Sequence, residues 1–214
     1  MNTPQDCLDS LQWRYACKKF DPTKKIDEAT WQALAESLRL SASSIGMQPW
    51  KFIDITSAEL KQKLRPESWN QSQVTDCDHY VVLCAKRDVT MDDVERHLAN
   101  IAKIRQCSAE KIEGSRQFYG GYVSQMTPEF IYRWTESQVH IALGFVLSAA
   151  AALRVDSCTI GGLDREKYDE ILGLTDSPYR TVLAVALGYR AADDAYAQEK
   201  KVRYPMDEVM EKRA

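Results

Sequence analysis

The most constraining feature of this chain is the apolar run QVHIALGFVLSAAAAL at residues 138–153. A helix that is hydrophobic nearly all round must be surrounded by protein or by lipid. The wider apolar stretch, residues 139–155, is interrupted by Ser148 and Arg154 and is too short and too rich in alanine for a membrane span. We therefore predict a buried helix here, covered partly by a second subunit.

Length and charge set the broad class of the protein. A chain of 214 residues with 44% hydrophobic and 28% charged content can bury a sizeable core, and no repeat or linker divides it, so we predict one domain over residues 1–214. The formal net charge of −3 provides no basic field for nucleic acid or an anionic membrane, and we expect neither partner. A small anionic cofactor needs only a local basic cluster.

Cysteine spacing and the first residues bear on the cellular compartment. The six cysteines are Cys7, Cys17, Cys77, Cys84, Cys107 and Cys158. They include no C-x-x-C pair and no metal-site spacing, so we predict reduced thiols. The segment MNTPQDCLDSLQWRY lacks a charged region followed by an apolar one, so we predict no secretory signal and a cytoplasmic location.

Caps and hydrophobic spacing predict a mixture of helices and strands. Predicted helices begin at Pro4, after an N-cap at Thr3, and cover residues 27–40, 57–64, 92–112, 138–153 and 165–172; predicted strands cover residues 50–55, 79–85, 156–160 and 181–189. Residues 115–130, with aromatic side chains beside Gly120 and Gly121, are expected to form an irregular, mobile cover. The strand at 181–189 is apolar on both faces and should be central in its sheet. Without strict βαβ alternation, this order favours an α+β fold.

The chain carries no self-sufficient catalytic motif. Its histidines, His79, His97 and His140, fall in a predicted strand and two predicted helices, without nucleophile or metal-ligand spacing. Neither a G-x-G-x-x-G loop nor a G-x-x-x-x-G-K-[ST] loop is present. We therefore predict neither a bound metal nor a catalytic side chain.

Two basic clusters lie near opposite ends of the chain, R-Y-A-C-K at residues 14–18 and K-K-V-R at residues 200–203. Arg14 and Arg203 can each offer paired planar donors to a phosphate that carries roughly −1.5 to −2 charges at neutral pH. Taken singly, either cluster is more simply interpreted as a set of solvated surface charges. The residues alone leave both interpretations open.

The order of several motifs resembles the nitroreductase family. R-Y-A-C-K-K-F-D is followed by L-S-A-S-S-I-G-M-Q-P-W-K-F and then by D-H-Y-V-V-L-C-A-K, and the likeness continues through the apolar helix, T-I-G-G-L-D and K-V-R-Y-P, from Arg14 to Pro205. The most specific part is S-x-S-S-x-x-x-Q-P-W-x-F. The likeness is to the bacterial oxygen-insensitive NAD(P)H nitroreductase and dihydropteridine reductase subgroup.

The resemblance implies an enzyme and its cofactors. It implies a nitroreductase-like α+β fold, with a mostly antiparallel central sheet flanked by helices and a C-terminal segment packed on the partner subunit. It further implies a homodimer with FMN at the interface, NADH or NADPH as donor, and a ping-pong reaction with nitroaromatic or quinone-like acceptors. The bound flavin would carry the chemistry at its N5 atom.

The resemblance also assigns site residues. The implied FMN-binding set is Arg14, Tyr15, Ala16, Lys18, Ala42, Ser43, Ser44, Gly46, Asn70, Gln73, Gln138, Thr159, Ile160, Gly161, Gly162, Lys201 and Arg203. In this assignment Arg14, Lys201 and Arg203 bind the phosphate, Lys18 lies near the pyrimidine edge, and the main-chain N–H of Gly161 faces N5. Asn70 hydrogen-bonds the ring, while Ser43, Ser44 and Gln138 approach it from the other subunit. Tyr119 or Phe118 covers the flavin face as a substrate contact.

Three positions depart from the family pattern. Ala16 stands in place of a serine, Gly46 in place of a frequent asparagine, and Gln73 in place of a lysine. A neutral amide at Gln73 leaves less positive charge near flavin N1 and O2, so hydride acceptance would depend more on Lys18. Because of these departures, a flavin-binding protein with little turnover remains an alternative function.

Two further alternatives remain. The same fold also hosts enoyl reduction, reductive dehalogenation and flavin destruction for cobalamin-ligand synthesis, and a fold does not decide among them. An unrelated α+β domain with solvated basic clusters is the other alternative.

Overall fold

The computed structural model describes residues 3–213. The helices are α1 (Pro4–Trp13), α2 (Glu28–Arg39), α3 (Ala58–Leu64), α4 (Gln73–Asp76), α5 (Met91–Arg105), α6 (Ala109–Val123), α7 (Pro128–Ala152), α8 (Arg165–Leu172) and α9 (Met206–Val209). The strands are β1 (Trp50–Ile55), β2 (His79–Lys86), β3 (Asp156–Ile160) and β4 (Tyr179–Gly188). Short 3-10 turns lie at Ser44–Gly46, Pro66–Ser68 and Ala195–Gln198.

The four strands form one sheet in the order β1-β2-β4-β3, and each neighbouring pair is antiparallel. Strand β4 has a neighbour on both sides, and residues 180–188 are buried. The prediction of a central strand that is apolar on both faces is therefore confirmed. Helices pack on both faces of the sheet, and the predicted α+β class is confirmed.

Side-chain caps account for the starts of the first helices. Thr3 accepts the main-chain N–H of Asp6, whose carboxylate accepts the N–H of Thr3 in return, so this capping box starts α1. Asp27 caps α2 and Ser57 caps α3 through the same kind of side-chain acceptor. The predicted starts at these three positions are confirmed.

Helix α7 is the long apolar helix, and it begins ten residues before the predicted start at Gln138. The Thr127 side chain accepts the main-chain N–H of Phe130, and Pro128 occupies the first helical turn. Buried residues such as Val139 and Val146 pack against the sheet. On the outer side of the helix Ile141 and Phe145 are 40% and 43% exposed. The chain itself therefore covers only one face of this apolar helix.

The prediction of one helix over residues 92–112 is wrong. Helix α5 ends at Arg105, and Gln106 adopts a left-handed conformation with a φ of 51°. The Ser108 side chain then accepts the main-chain N–H of Lys111 and starts α6. Because the break occurs at a glutamine rather than at glycine or proline, hydrophobic spacing alone runs through it.

The predicted irregular cover at residues 115–130 is also wrong, because α6 continues to Val123. A Cβ atom on Gly120 would lie 3.1 Å from Cε of Met91 at the start of α5. The missing side chain therefore allows close packing between α5 and α6. Glycine here serves helix packing rather than loop mobility.

None of the helices within residues 3–213 combines the length and hydropathy required to span a bilayer.

Candidate functional site

The two basic clusters meet in one cavity of about 420 Å³. The cavity is lined by Gln12, Trp13, Arg14, Tyr15, Ala16, Lys18, Tyr196, Ala197, Glu199, Lys200, Lys201 and Arg203. Five of these side chains are cationic and one, Glu199, is anionic, so the lining carries an excess of positive charge. The geometry favours an anionic ligand over the interpretation that the two clusters are separate solvated surfaces.

Arg14 lies at the end of α1 and is half-buried. The ammonium group of Lys201 donates to the main-chain oxygens of Leu11, at 2.7 Å, and of Arg14, and so ties residues 200–203 to this helix end. The Nε atom of Arg14 is buried and has no hydrogen-bond partner among the described residues. A buried donor without an acceptor is unfavourable, so a ligand oxygen at this position would be stabilising.

Burial and the neighbouring cations both lower pKa values in this cavity. Burial, and then the charge of Arg203, lower the pKa of Arg14. Burial, and then Arg14 and Arg203, lower the pKa of Lys201. A phosphate group with its negative charge would relieve the repulsion among these three side chains.

Asp194 positions the segment that carries Arg14 and Lys18. Its buried carboxylate accepts the hydroxyl of Tyr15 at 2.8 Å and the main-chain N–H groups of Lys18 at 2.9 Å and Lys19 at 3.2 Å. Although burial opposes the charged form, these hydrogen bonds lower the pKa of Asp194. No motif predicted a role for Asp194, because its partners lie in a distant part of the chain.

The same segment runs beside β3. Ala16 forms an isolated parallel bridge with Ser157, and the main-chain N–H of Cys17 donates to the Ser157 oxygen at 3.1 Å. Burial raises the pKa of the Cys158 thiol, whereas the neighbouring charge of Lys18 and a hydrogen bond from Gln73 oppose that rise. Gln73, 7% exposed, therefore lies near the Cys158 thiol, as Lys18 does.

Strand β3 leads into the predicted flavin-facing turn, which packs on residues 67–71. The main-chain N–H of Asp164 donates to the Glu67 oxygen at 2.8 Å, and the Gln71 amide donates to the Gly162 oxygen at 3.3 Å. Thr159 is exposed, whereas Ile160 is 1% exposed and belongs to the core. Gly161 has open space where a Cβ atom would be, as close approach of a ligand would require.

A second group of predicted residues gathers around α5 and α7. Gln138, 4% exposed, accepts the main-chain N–H of Ser44 at 2.7 Å. Ala42, Ser43 and Gly46 line a cavity of about 380 Å³. The resemblance places this loop at the partner subunit's flavin.

His97 also lines this second cavity and links it to the predicted substrate aromatics. Tyr119 meets the His97 ring edge-on at 5.2 Å between centroids, and the neighbouring Phe118 is 61% exposed. Burial, and then the charge of Arg105, lower the pKa of His97. His97 is a residue that sequence analysis left outside the site.

The predicted site residues thus form two groups in the chain. The first surrounds Arg14, Lys18 and the turn after β3, and the second surrounds Ser44 and Gln138. Within residues 3–213, no hydrogen bond, ion pair or ring contact joins Arg14 or Lys18 to Ser44 or Gln138. Residues 3–213 also contain no group of three or more His, Cys, Asp or Glu side chains arranged to hold a metal ion.

The fold and the first cavity define an α+β protein with a cationic site of a size and charge suited to a phosphorylated ligand. Comparison with known proteins gives the class: the profile of the nitroreductase family matches residues 11–189. This chain belongs to the nitroreductase family.

Related sequences cover nearly the whole chain. A protein of Staphylococcus epidermidis named "Putative NAD(P)H nitroreductase" is 33% identical over 214 residues, which is 96% of each chain. A Bacillus subtilis protein with the same description is 33% identical over 208 residues, covering 87% of this chain and 89% of its own.

Solved structures share the fold. A "putative nitroreductase" of Bacillus subtilis superposes with a TM-score of 0.87 at 15% identity, covering 99% of this chain and 100% of its own. A "putative nitroreductase in complex with FMN" from Exiguobacterium sibiricum gives 0.83 at 21% identity, with 99% of both chains covered. An enone reductase of gut-bacterial fatty acid saturation gives 0.80 at 21% identity, covering 98% of both. At these identities the similarity establishes the fold.

Proposed function

We propose that this protein is an FMN-dependent oxidoreductase that takes electrons from NADH or NADPH and reduces nitroaromatic or quinone-like acceptors. The observation that carries the proposal is the buried, unpartnered Nε of Arg14 in a cavity that also holds Lys18, Lys201 and Arg203. Family membership and relatives named for NAD(P)H nitroreduction support the same conclusion.

The residues of the first group fit a flavin mononucleotide. Arg14, Lys201 and Arg203 would bind its phosphate through charge-assisted hydrogen bonds, and Lys18 would lie at the pyrimidine edge. The main-chain N–H of Gly161, a residue with open space at its Cβ position, would orient the ring. When bound, FMN supplies the capacity to accept a hydride and to deliver electrons to a second substrate. The chain itself positions the ligands and provides the electrostatic field, and solvent can protonate the product.

We further propose a homodimer in which the Ser44 and Gln138 group completes the partner's flavin site. Support comes from apolar surface that the single chain leaves open, on α7 at Ile141 and Phe145. The residues near the C-terminus add exposed apolar side chains at Val202, Tyr204, Met206, Val209 and Met210. Patches of exposed apolar side chains are typical of protein interfaces. All six cysteines are unpaired, which supports a reducing, cytoplasmic location.

The cofactor proposal is tested on the purified protein. We expect a yellow protein whose extracted chromophore is FMN and whose visible absorbance bleaches with NADH or NADPH under anaerobic conditions. A colourless protein that gains no flavin absorbance after incubation with excess FMN and gel filtration would refute it.

The acceptor proposal needs a separate measurement. Steady-state rates with menadione, a nitrofuran and an α,β-unsaturated ketone should show turnover with the first two, and parallel double-reciprocal lines are expected for a ping-pong reaction. Bleaching by NADH without reoxidation by any acceptor would instead favour a flavin-binding protein with little turnover. Preference for the unsaturated ketone would favour enoyl reduction.

A further inference from the structure

Glu136 in α7 pairs with two arginines that come from different elements. Its carboxylate accepts hydrogen bonds from both terminal nitrogens of Arg165, the first residue of α8, at 2.9 Å and 3.2 Å. Arg180, near the start of β4, donates to the same carboxylate at 3.2 Å. Paired donors on a planar guanidinium fix the direction of a contact as well as its length. Glu136 therefore joins α7, α8 and β4 at one point.

Arg180 is the buried member of this cluster, with 5% of its surface exposed. Its guanidinium donates to the main-chain oxygen of Tyr132 at 2.7 Å and lies 3.6 Å from the centre of the Tyr132 ring. Tyr132 is one helical turn before Glu136, so Arg180 contacts α7 at two successive turns. Although burial opposes the charged form, Arg165 and then Arg180 lower the pKa of Glu136. The carboxylate is therefore charged between two cations.

A cluster of this kind is a poor source of net stability. The loss of hydration when charged side chains are buried offsets much of their attraction, and apolar side chains of similar volume often stabilise a fold equally well. The directional hydrogen bonds of Glu136 are what apolar packing would not provide. The cluster therefore fixes the position of the segment that carries Arg165.

That segment begins at the Gly161–Gly162 turn. On one side of the turn Ile160 is held in the sheet by its pairing with β4. On the other side the Asp164 carboxylate caps α8 by accepting the main-chain N–H groups of its first turn, and Arg165 follows at once. The two glycines have no side chains with which to anchor the turn, so its two ends determine where it lies. Glu136 holds one of those ends.

We propose that Glu136 is a positioning residue for the flavin: through Arg165 and Arg180 it holds the Gly161 turn, and the main-chain N–H assigned to N5, in a fixed place beside α7. The inference rests on the proposed function, because it assumes that FMN binds at this turn. Without the negative charge of Glu136 the two guanidinium groups repel each other. Arg165 then moves away from α7, and the turn moves with it.

The first test observes the turn itself. The chain has nine glycines, so protein labelled with [15N]glycine gives a simple amide spectrum. Gly161→Ala, with open space for the new methyl group, assigns the Gly161 signal. In Glu136→Gln we expect this signal to move or broaden. Arg165→Gln should have the same effect, and its half-exposed side chain keeps the test valid if Glu136→Gln folds poorly.

The matched control is Glu129→Gln, in the same helix. Glu129 is exposed and pairs with Arg133 on the surface, so its replacement should leave the Gly161 signal in place. Urea unfolding of each variant measures the purely structural contribution. Lower stability of Glu136→Gln with an unchanged Gly161 signal in both it and Arg165→Gln would overturn the positioning role.

The second test measures hydride transfer in the FMN-loaded protein. Stopped-flow reduction by NADH under anaerobic conditions should show a limiting rate constant at least about tenfold lower in Glu136→Gln, because a small displacement at the reacting atom is costly. FMN affinity should stay within threefold, since the phosphate ligands are unchanged. The double variant with Arg165→Gln should be no slower than Glu136→Gln. An unchanged rate constant would overturn the role of Glu136, whereas absence of FMN binding in the unchanged chain would refute the proposed function.

Discussion

The carboxylate of Asp194 accepts the main-chain N–H of Lys18 at 2.9 Å, across a sequence separation of 176 residues. The same oxygen also accepts the N–H of Lys19 and the hydroxyl of Tyr15. One side chain therefore fixes the path of the segment that leads from Arg14 into the core. The position of the cations depends on a residue that is not itself a proposed ligand.

Removal of this acceptor should affect both folding and FMN binding. In Asp194→Ala the donors on Lys18 and Lys19 lose their partner, and each unsatisfied donor costs about 1–3 kcal/mol. Urea unfolding should show the lower stability, and an FMN titration should show weaker binding. Asp193→Ala is the matched control, because Asp193 is exposed and pairs only with Lys19 at the surface. Equal effects of the two variants would contradict the positioning role.

The same carboxylate should make stability depend on pH. Because the folded-state pKa of Asp194 is lowered, its stabilisation is present above the ordinary aspartate pKa of about 3.9 and is lost as the pH falls through the folded-state value. The difference in unfolding free energy between the unchanged protein and Asp194→Asn should therefore be larger at neutral pH than at acid pH. A difference that does not change with pH would exclude a stabilising charge at this position.

Loss of the phosphate arginines should weaken FMN binding. Arg14→Ala and Arg203→Ala together remove charge-assisted hydrogen bonds worth roughly 1.5–3 kcal/mol each, so Kd should rise by at least about a hundredfold. Fluorescence titration of the apoprotein with FMN measures this change. Arg213→Ala, an exposed arginine paired with Glu211, should leave Kd unchanged. Unchanged affinity in the double variant would refute the phosphate role.

A lysine at position 73 should raise the midpoint potential of the bound flavin. Gln73→Lys would place a cation near Cys158 and Lys18, and a cation beside the ring favours the reduced state. We expect the midpoint potential of bound FMN to become more positive, by about 30 mV for a stabilisation near 1.4 kcal/mol. Gln5→Lys on the exposed face of α1 is the control. An unchanged potential in Gln73→Lys would place this residue away from the ring.

A charge on the outer face of α7 should disrupt the dimer. Phe145 is 43% exposed on that face, and Phe145→Arg would place a guanidinium in the proposed apolar interface. Light scattering at micromolar concentration should show a monomer with lowered FMN affinity, whereas Phe145→Leu should remain dimeric. A monomeric mass for the unchanged protein would contradict the homodimer itself.

Local sequence predicted most of the elements because their physical causes are local. Sequence alone is enough to recognise capping side chains such as Thr3, Asp27 and Ser57. It is also enough to recognise the pattern of β4, which is apolar on both faces. The break between α5 and α6 cannot be recognised from sequence, because it occurs at Gln106, in a left-handed conformation that is usually adopted by glycine. The prediction of a mobile segment at Gly120 is wrong for a related reason, because the contact of Gly120 with Met91 exists only after two helices pack.

The candidate site likewise contains residues that the sequence predicted and residues that it did not. The resemblance supplied Arg14 and Lys201 in order along the chain, and the structure places them in one cavity. No sequence signal identified Asp194, because it acts through contacts with a distant segment. Residues that bind can be found by motif, whereas residues that position them become visible only with the tertiary structure.

The cavity built from residues 14–18 and 200–203 also has a consequence for biosynthesis. A growing chain that has already formed α1 has Arg14 and Lys18 but lacks the ammonium and guanidinium groups contributed by Lys201 and Arg203. Under the proposed function, high-affinity binding of the FMN phosphate would therefore have to wait until translation has passed residue 203 and that segment has reached the end of α1. Cofactor loading is then a late maturation step rather than a nucleus for folding.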